Sequence, residues 1–423
     1  MPATIALIAH DAKKDDIVNF ARKHAPLLGR YRLIATANTG ERIASETGLI
    51  VEKLAAGSMG GDVQIAAEVV TGNIVAVIFL VESFYVQPYE PNVQTILQIC
   101  QVHNVAIATN LATAEAIASS LAKTLVAHLI YNPISGQGNA EQELNLIREL
   151  LEPHLNLHIH FTELGVDPAT LATDAIATNA DIIIASGGDG TVSAVAGALI
   201  GSGIPLGIIP RGTANAFAVS LGIPRLLPIR NACQIILANN TRTVDAARCN
   251  GLPMILLAGI GYEAATVERA SRELKDRWGA MAYLMAGWQL LDESGLFDTE
   301  IETEDGKNYN FQATAITIAN AAPPTSVLAQ GAGQVIFDDG LLDVTIATPE
   351  NKLDAVSAML RMFGAAITRT EFEHKNVVHG RTRWLRLSTN PPQKVVVDGE
   401  IVGTTPIEVE CIPGGLTVLA PKP

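Results

Sequence analysis

Short runs of Ala, Val, Ile and Leu, each followed by a helical pattern, recur in two successive series along this chain. That alternation confines it to layered α/β folds. In the first series Thr4–Ala9, Tyr31–Thr36, Val75–Leu80 and Val105–Ala108 predict strands, and Lys14–His24, Asp62–Val70 and Val93–His103 predict helices. In the second, strands are expected at Ala127–Tyr131, Asn156–Phe161, Asp181–Ala185 and Pro205–Ile209, with helices at Glu141–Leu151, Pro168–Thr178, Thr191–Ile200 and Ala214–Leu221. A strand that is apolar throughout must be covered on both faces, as a parallel sheet with crossover helices is. After about Arg242 strand-like runs dominate, at Met254–Ala258, Ala313–Ile318, Leu342–Ala347 and Lys394–Val397, with a helical island near Ala264–Asp292. The expected fold class is α/β. A doubly wound parallel-sheet domain covers residues 1–122, a second α/β domain covers 123–241, and a β-rich domain covers 242–423.

The net charge of −14 argues against a nucleic-acid partner, which demands a basic surface. It also disfavours a strong electrostatic grip on anionic membranes. Small phosphorylated ligands stay open, because single loops can be positive on an acidic protein. Cys100, Cys233, Cys249 and Cys411 form no C-x-x-C pair and lie near no histidine cluster, which predicts free thiols in a reducing cytosol. The Met1-Pro-Ala-Thr start lacks a basic segment followed by an apolar one, and no apolar run is long enough to span a bilayer. A cytoplasmic protein is expected, touching membranes at most as a peripheral visitor. Homo-oligomerisation stays open.

Three stretches stand at strand ends in the first domain: His10-Asp11-Ala12-Lys13-Lys14, Ala35-Thr36-Ala37-Asn38-Thr39-Gly40 and Ala56-Gly57-Ser58-Met59-Gly60-Gly61-Asp62. Ligands of open parallel sheets bind at the carboxyl ends of strands. Small polar residues before a helix offer amides to an anion, and a lysine adds charge. Asp62, on a glycine turn at a helix start, reads either as a helix cap or as a carboxylate held near a small substrate.

These segments, with the Thr47–Ile65 and Val105–Ala118 stretches, resemble methylglyoxal synthases in order and spacing over about residues 3–120. The resemblance implies conversion of dihydroxyacetone phosphate to methylglyoxal and phosphate. The catalytic base would be Asp62, and the phosphate would sit on Lys14, Thr36, Asn38, Thr39 and Gly57. His10 would be the pocket histidine. The chain departs from the family pattern at Pro88-Tyr89-Glu90-Pro91-Asn92, where the family has a Pro-His-Asp-Pro-Asp core; its histidine is Tyr89 here. Tyr donates a hydrogen bond but is a poor proton shuttle near neutrality. Glu82, Ala37, Asn38 and Ala56 are further departures. Two readings follow: a synthase, or a domain that only senses a phosphorylated metabolite.

The second series carries Tyr131-Asn132-Pro133-Ile134-Ser135-Gly136-Gln137-Gly138, Ser186-Gly187-Gly188-Asp189-Gly190-Thr191 and Pro210-Arg211-Gly212-Thr213-Ala214-Asn215. Each follows a strand and precedes a helix, where glycines let amides approach phosphate oxygens. One such turn is an ordinary loop; three at successive strand ends point to a nucleotide.

From about Thr124 to Ala420 the set resembles the catalytic region of diacylglycerol kinases, in the bacterial branch that is also similar to sphingosine kinases. The resemblance implies ATP and Mg2+. ATP would lie on Asn132, Thr162, Gly187, Gly188, Asp189, Gly190, Thr191 and Thr213. Asp245 would join a water-mediated magnesium network, and the Asp339 side chain with the Ile336 and Leu341 carbonyls would hold a structural magnesium. Val397-Asp398-Gly399-Glu400 resembles the family's catalytic motif. There Asp398 or Glu400 takes the proton of a lipid hydroxyl as it attacks the γ-phosphate. Asp398-Gly399 reads equally as a plain hairpin turn. Departures are Ser193-Ala194 and Ala216, where the family often has Asn-Glu and Asp. The helix expected over Arg277–Trp288 reads as core packing or as an acyl-chain or bilayer contact. His374 and His379 show no ligand spacing. The expected protein is an ATP-dependent lipid kinase acting on a lipid presented at a membrane surface. Its N-terminal domain binds dihydroxyacetone phosphate or phosphate. The rival acceptor is a soluble alcohol such as NAD, and a further rival is a sensor whose two sites only bind ligands.

Overall fold

The computed structural model describes residues 3–72, 74–82, 93–136, 138–163, 165–178, 180–261, 296–322, 335–348 and 377–422. Tyr89, His374, the Arg277–Trp288 segment and the Ala264–Asp292 island lie outside the described residues. Contacts divide the chain into two compact units. One is Met1–His128 with Leu151–Ile159 and Thr178–Asp181; the other is Leu129–Leu150, His160–Ala177 and Ile182–Pro423. Hydrogen bonding assigns every described strand to one of three sheets.

The first sheet holds β1 (Thr4–Ala9), β2 (Arg32–Thr36), β3 (Val51–Leu54), β4 (Ile74–Leu80) and β5 (Ala106–Ala108) in the order β3-β2-β1-β4-β5. Every pair in it is parallel. Its central strand is buried at all positions because its two faces feed two cores. Ile5 and Leu7 pack with Ile17, Phe20 and Ile43 on one side, while Ala6 and Ile8 pack with Ile65, Val69, Phe79 and Ile96 on the other. Alternate residues of a strand point to opposite faces, so one apolar run serves both layers. The sequence pattern does not announce β3. Two of its four residues, Glu52 and Lys53, are charged and exposed, as suits an edge strand.

The second sheet begins with β6 (Val126–Tyr131), β7 (Asn156–Phe161), β8 (Ile182–Gly187) and β9 (Leu206–Pro210). The β8–β9 register is parallel. Bonds from Asp181 to Val126 and from Asn132 to Ser186 advance together along β6 and β8, so that pair is parallel too. The strands that follow are β10 (Thr241–Cys249), β11 (Leu252–Met254), β12 (Leu257–Gly261), β13 (Phe297–Thr303), β14 (Asn308–Ala313) and β15 (Ala315–Ala319). They continue with β16 (Leu342–Ala347), β17 (Val377–Thr382), β18 (Trp384–Asn390), β19 (Lys394–Val397), β20 (Glu400–Thr404) and β21 (Ile407–Leu419). The ten-stranded sheet runs β14-β13-β18-β21-β9-β8-β6-β7, with β10 on β21 and β11 on β10. The six-stranded sheet runs β17-β16-β15-β12-β19-β20, antiparallel throughout. Ile260, Ile316, Ile318, Val344, Leu385, Leu387 and Val409 belong to one core shared by these two sheets.

Two expected strands are split. Met254–Ala258 breaks between β11 and β12, where Ile255 and Leu256 aim their amides at a carboxylate instead of a ladder. Ala313–Ile318 breaks at Thr314, with β14 and β15 in different sheets. The pattern change near Arg242 does not mark a sheet boundary. β10 pairs with β21 from Thr241↔Leu419 to Cys249↔Val409 and ties the β-rich part into the sheet of the glycine turns. No helix among the described residues is long and apolar enough to cross a membrane.

Candidate functional site

Two candidate sites stand out, one at the carboxyl ends of the five-stranded parallel sheet and one at those of the parallel strands β6, β8 and β9 of the ten-stranded sheet. In the first unit β1 delivers His10, β2 delivers Thr36, and the turn after β3 delivers Gly57 and Asp62. His10 is buried, and its Nδ1 accepts the Glu82 amide at 3.1 Å. A ring nitrogen that accepts carries no proton, so the proton sits on Nε2 as a donor. Thr36 precedes the helix Ala37–Thr47, and its Oγ1 donates to Thr39 Oγ1 at 3.2 Å, both residues buried. The Ala37 amide bonds the Ala55 carbonyl and binds this loop to the glycine turn. That turn needs its glycines: Gly60 has φ 87°, and a Cβ on Gly61 would fall 2.0 Å from the Ala55 oxygen. The turn sinks Asp62 into the first helical turn of Gly61–Val70, where Oδ1 accepts the Val63 amide at 3.0 Å. Lys14 forms an ion pair with Asp11, and Asn38 is exposed.

In the second unit the three glycine turns are locked into one body. Asn132, just past β6, donates from Nδ2 to Thr191 Oγ1 at 2.9 Å and accepts the Ile134 amide at 3.0 Å. Ser135 Oγ accepts the Gly188 amide. A Cβ on Gly187 would fall 2.7 Å from the Thr191 side chain, and one on Gly212 would fall 2.6 Å from the Gly188 Cα. Asn215, with φ 49°, closes the third turn by bonding both the amide and the carbonyl of Gly212. Gly190 and Thr213 are exposed on this body, and Thr162 is buried at the end of β7. The helix Asp189–Leu199 starts here, so its first-turn amides have no intrahelical acceptors and suit an anion.

Two charged groups hold the body together. Buried Arg211 reaches the Asn132 and Ser135 carbonyls at 2.7 and 2.8 Å and Glu143 Oε2 at 2.7 Å, with its guanidinium 4.2 Å above the Tyr131 ring. Asp189 turns its carboxylate onto the Ala216 amide at 2.5 Å, the start of the helix Ala216–Ser220. Burial pushes the Asp189 carboxyl above the usual carboxylate range, while backbone amides pull the other way.

The β19–β20 hairpin approaches the same turns. Asp398 and Gly399 both have positive φ, 49° and 93°, the two-residue turn that Asp-Gly favours. The Asp398 carboxylate points inward and accepts the amides of Ile255, Leu256 and Leu257 at 2.8, 2.9 and 3.1 Å. Burial raises its pKa, against the pull of those amides. Glu400 is exposed, and its Oε1 stands 3.9 Å from where a Cβ on Gly190 would lie.

Comparison with known proteins matches this arrangement in three parts. The MGS-like domain family matches residues 16–109. The diacylglycerol kinase catalytic domain matches 126–249, and the YegS C-terminal NAD kinase beta sandwich-like domain matches 257–420. An uncharacterized protein of Synechocystis sp. is 51% identical over all of this chain and 99% of its own length. Methylglyoxal synthase of Thermus thermophilus is 49% identical over 28% of this chain and 94% of its own. The chain belongs to a family that joins a methylglyoxal synthase-like domain to a diacylglycerol kinase catalytic region. A crystal structure of a putative diacylglycerol kinase from Bacillus anthracis str. Sterne superposes with TM-score 0.58 at 26% identity, covering 71% of this chain and 98% of that one.

Within the kinase region Asp245 sits at a bulge of β10, buried, and accepts the amides of Gly414 and Gly340 at 2.7 and 2.6 Å. It thereby fixes the loop that carries Ile336, Asp339 and Leu341. Asp339 accepts the Leu341 amide at 3.1 Å and the Arg381 guanidinium at 2.5 Å. Arg381 also bonds Asp343, as does His379. No group of three His, Cys, Asp or Glu side chains is placed to hold a metal among the described residues. Sequence reasoning gave Arg211 no role in the kinase region. A lone arginine directly after the buried strand β9 is the trace that could have found it.

Proposed function

We propose that the kinase region transfers the γ-phosphoryl group of ATP to a lipid hydroxyl, with Glu400 as the general base. The observation that carries this is the approach of the exposed Glu400 carboxylate to Gly190. A base must reach the acceptor hydroxyl while amides hold the phosphates beside it. The first-turn amides at Asp189, Gly190 and Thr191, with Thr213 and the Asn132–Thr191 pair, would seat the triphosphate. Glu400 takes the hydroxyl proton, the oxygen bonds the γ-phosphorus, and the bond to the β-phosphate oxygen breaks to release ADP. Asp398, saturated by three amides, shapes the hairpin that places Glu400. The lipid acceptor is drawn from the similar Bacillus anthracis structure, which is named a putative diacylglycerol kinase. Magnesium, when bound, neutralises charge on the phosphate oxygens. A magnesium on Asp339 and the Ile336 and Leu341 carbonyls would have to displace Arg381, so the loop as folded does not fit it.

The test uses γ-labelled ATP and the full chain with diacylglycerol, sphingosine and NAD as acceptors. Label in the organic phase is expected. Label in NAD alone would transfer the reading to a soluble acceptor, and label in none would sink the kinase.

For the first unit we propose a site for dihydroxyacetone phosphate. Asp62 would take a proton from the carbon beside the carbonyl, and the His10 Nε2 proton would bond the carbonyl oxygen. The resulting enediolate expels phosphate by breaking the far carbon–oxygen bond, and the enol relaxes to methylglyoxal. The buried Thr36–Thr39 pair and Gly57 would hold the phosphate. If turnover is absent while phosphate still binds, the domain is a sensor.

A further inference from the structure

From Gly190 to Val244 the chain has no Asp or Glu, while Arg211, Arg225, Arg230 and Arg242 fall within it. On a chain of net charge −14 this is a marked local reversal. Arg211 is buried against Glu143, and Arg242 pairs with Asp338. Arg225 and Arg230 are exposed, and neither forms an ion pair with a described residue.

Between these two arginines lies Leu226-Leu227, the connection from the helix Ala216–Ser220 to the helix Pro228–Ala238. Leu226 is 79% exposed and Leu227 61%. Their apolar neighbours Leu221, Ile223 and Ile229 are buried, so the chain tucks in both flanks and turns out the centre. Leu227 has φ 47° and ψ 53°, a left-handed conformation that a branched side chain adopts only at a cost. Asn231 holds the tip in this shape, donating from Nδ2 to the Leu226 carbonyl at 2.6 Å and from its amide to the Leu227 carbonyl. Two exposed leucines on a braced, strained tip return nothing to the fold. The first-turn amides of Pro228–Ala238, a helix with no acid in its first turn, add positive potential beside them.

We propose that the Arg225–Arg230 tip docks the protein on an anionic lipid bilayer, with Leu226 and Leu227 entering the acyl boundary and both arginines meeting the headgroups. Apolar insertion combined with basic flanks is the chemistry of interfacial binding. The tip lies on the segment that leaves the third glycine turn, between the helices Ala216–Ser220 and Pro228–Ala238. The proposal rests on the tip's own chemistry; the lipid-kinase reading gives it a purpose but is not needed for it.

The test is sedimentation of the full chain with vesicles of phosphatidylcholine alone and of phosphatidylcholine mixed with phosphatidylglycerol. Binding to the mixed vesicles, weakened by salt, is expected. The double variant Leu226→Ser, Leu227→Asn should weaken it at least about tenfold, as should Arg225→Glu with Arg230→Glu. Asn tolerates the left-handed conformation, so the leucine variant should melt no lower than the parent. Phosphorylation of a detergent-dispersed short-chain diacylglycerol should not change in it. Should that activity be missing from both proteins, the kinase reading fails and the vesicle result still decides the tip. Equal vesicle binding by parent and variants, no binding by the parent, or self-association that the leucine variant abolishes without any vesicle binding would each overturn the proposal.

Discussion

Glu400 opens a strand of the six-stranded sheet and Gly190 lies in the first turn of the helix Asp189–Leu199, yet Oε1 of one stands 3.9 Å from the position of a Cβ on the other. Asp398, two residues earlier, faces the opposite way into three amides. The two carboxylates should therefore fail differently. Glu400→Gln is expected to lower turnover about 10²–10⁴-fold with the melting temperature and ATP affinity unchanged. Asp398→Asn leaves one oxygen for three amides and is expected to lower stability by about 1–3 kcal/mol. Turnover, ATP affinity and melting curves of both variants check this; parental turnover in Glu400→Gln would remove it as the base.

Arg211→Met should loosen the glycine turns as a set. It abandons Glu143 and two carbonyls; Glu143 is partly exposed, so the loss should fall below the ~3–5 kcal/mol of breaking a fully buried ion pair. Denaturant unfolding measures the loss. ATP affinity should fall with it, because the turns that Arg211 clamps are those proposed for phosphate. An unchanged unfolding midpoint would count against the clamp.

The raised carboxyl of Asp189 gives a pH dependence of fixed sign. The native state keeps this proton to higher pH than the unfolded chain does. Its contribution to stability is complete below the ordinary carboxylate value and is lost as the pH climbs from there through the raised value. Asp189→Asn lacks it, so the stability of the parent relative to the variant should shrink as the pH rises across that window. Parallel melting curves at a series of pH values test this, and a gap that widens with pH would reverse the sign.

Arg381 bonds the Asp339 carboxylate in the loop for which the family resemblance implies a magnesium. The parent is expected to melt at one temperature with magnesium or with a chelator. Arg381→Met, which frees the carboxylate, should melt lower, and magnesium should restore part of the loss. A parent that chelation destabilises would show that a metal displaces the guanidinium.

For the first unit, Asp62→Asn should abolish methylglyoxal formation by the full chain while leaving phosphate binding in place. Tyr89→His should raise formation, since a histidine near neutral pKa supplies the proton transfer that Tyr does not. Calorimetry with phosphate and a methylglyoxal assay separate catalysis from sensing. Absence of phosphate binding would end both readings.

Much of this was legible because it is local. The strand at Thr4–Ala9 is buried at every position, and the glycine turns after β6, β8 and β9 announce an anion site without any partner in view. What was hidden depends on distant pairing. Arg211 gains its role only from Glu143, Asn132 and Ser135, and nothing beside it in the chain names them. Asp398 and Glu400 share one short motif, and only the fold shows that one faces amides and the other the glycine turn. The break at Ile255–Leu256 is likewise caused by a carboxylate more than a hundred residues away.

β21 gives the kinase a schedule. It lies between β18 and β9 and zips along β10, so a strand from the far part of the chain completes the sheet that carries the glycine turns. On the ribosome, β6 through β10 emerge long before Ile407–Leu419 is made. The five-stranded sheet of the first unit needs nothing beyond Ala108 for its strands. The N-terminal sheet can thus close while the nascent kinase region still waits, its own sheet incomplete, for a strand not yet translated.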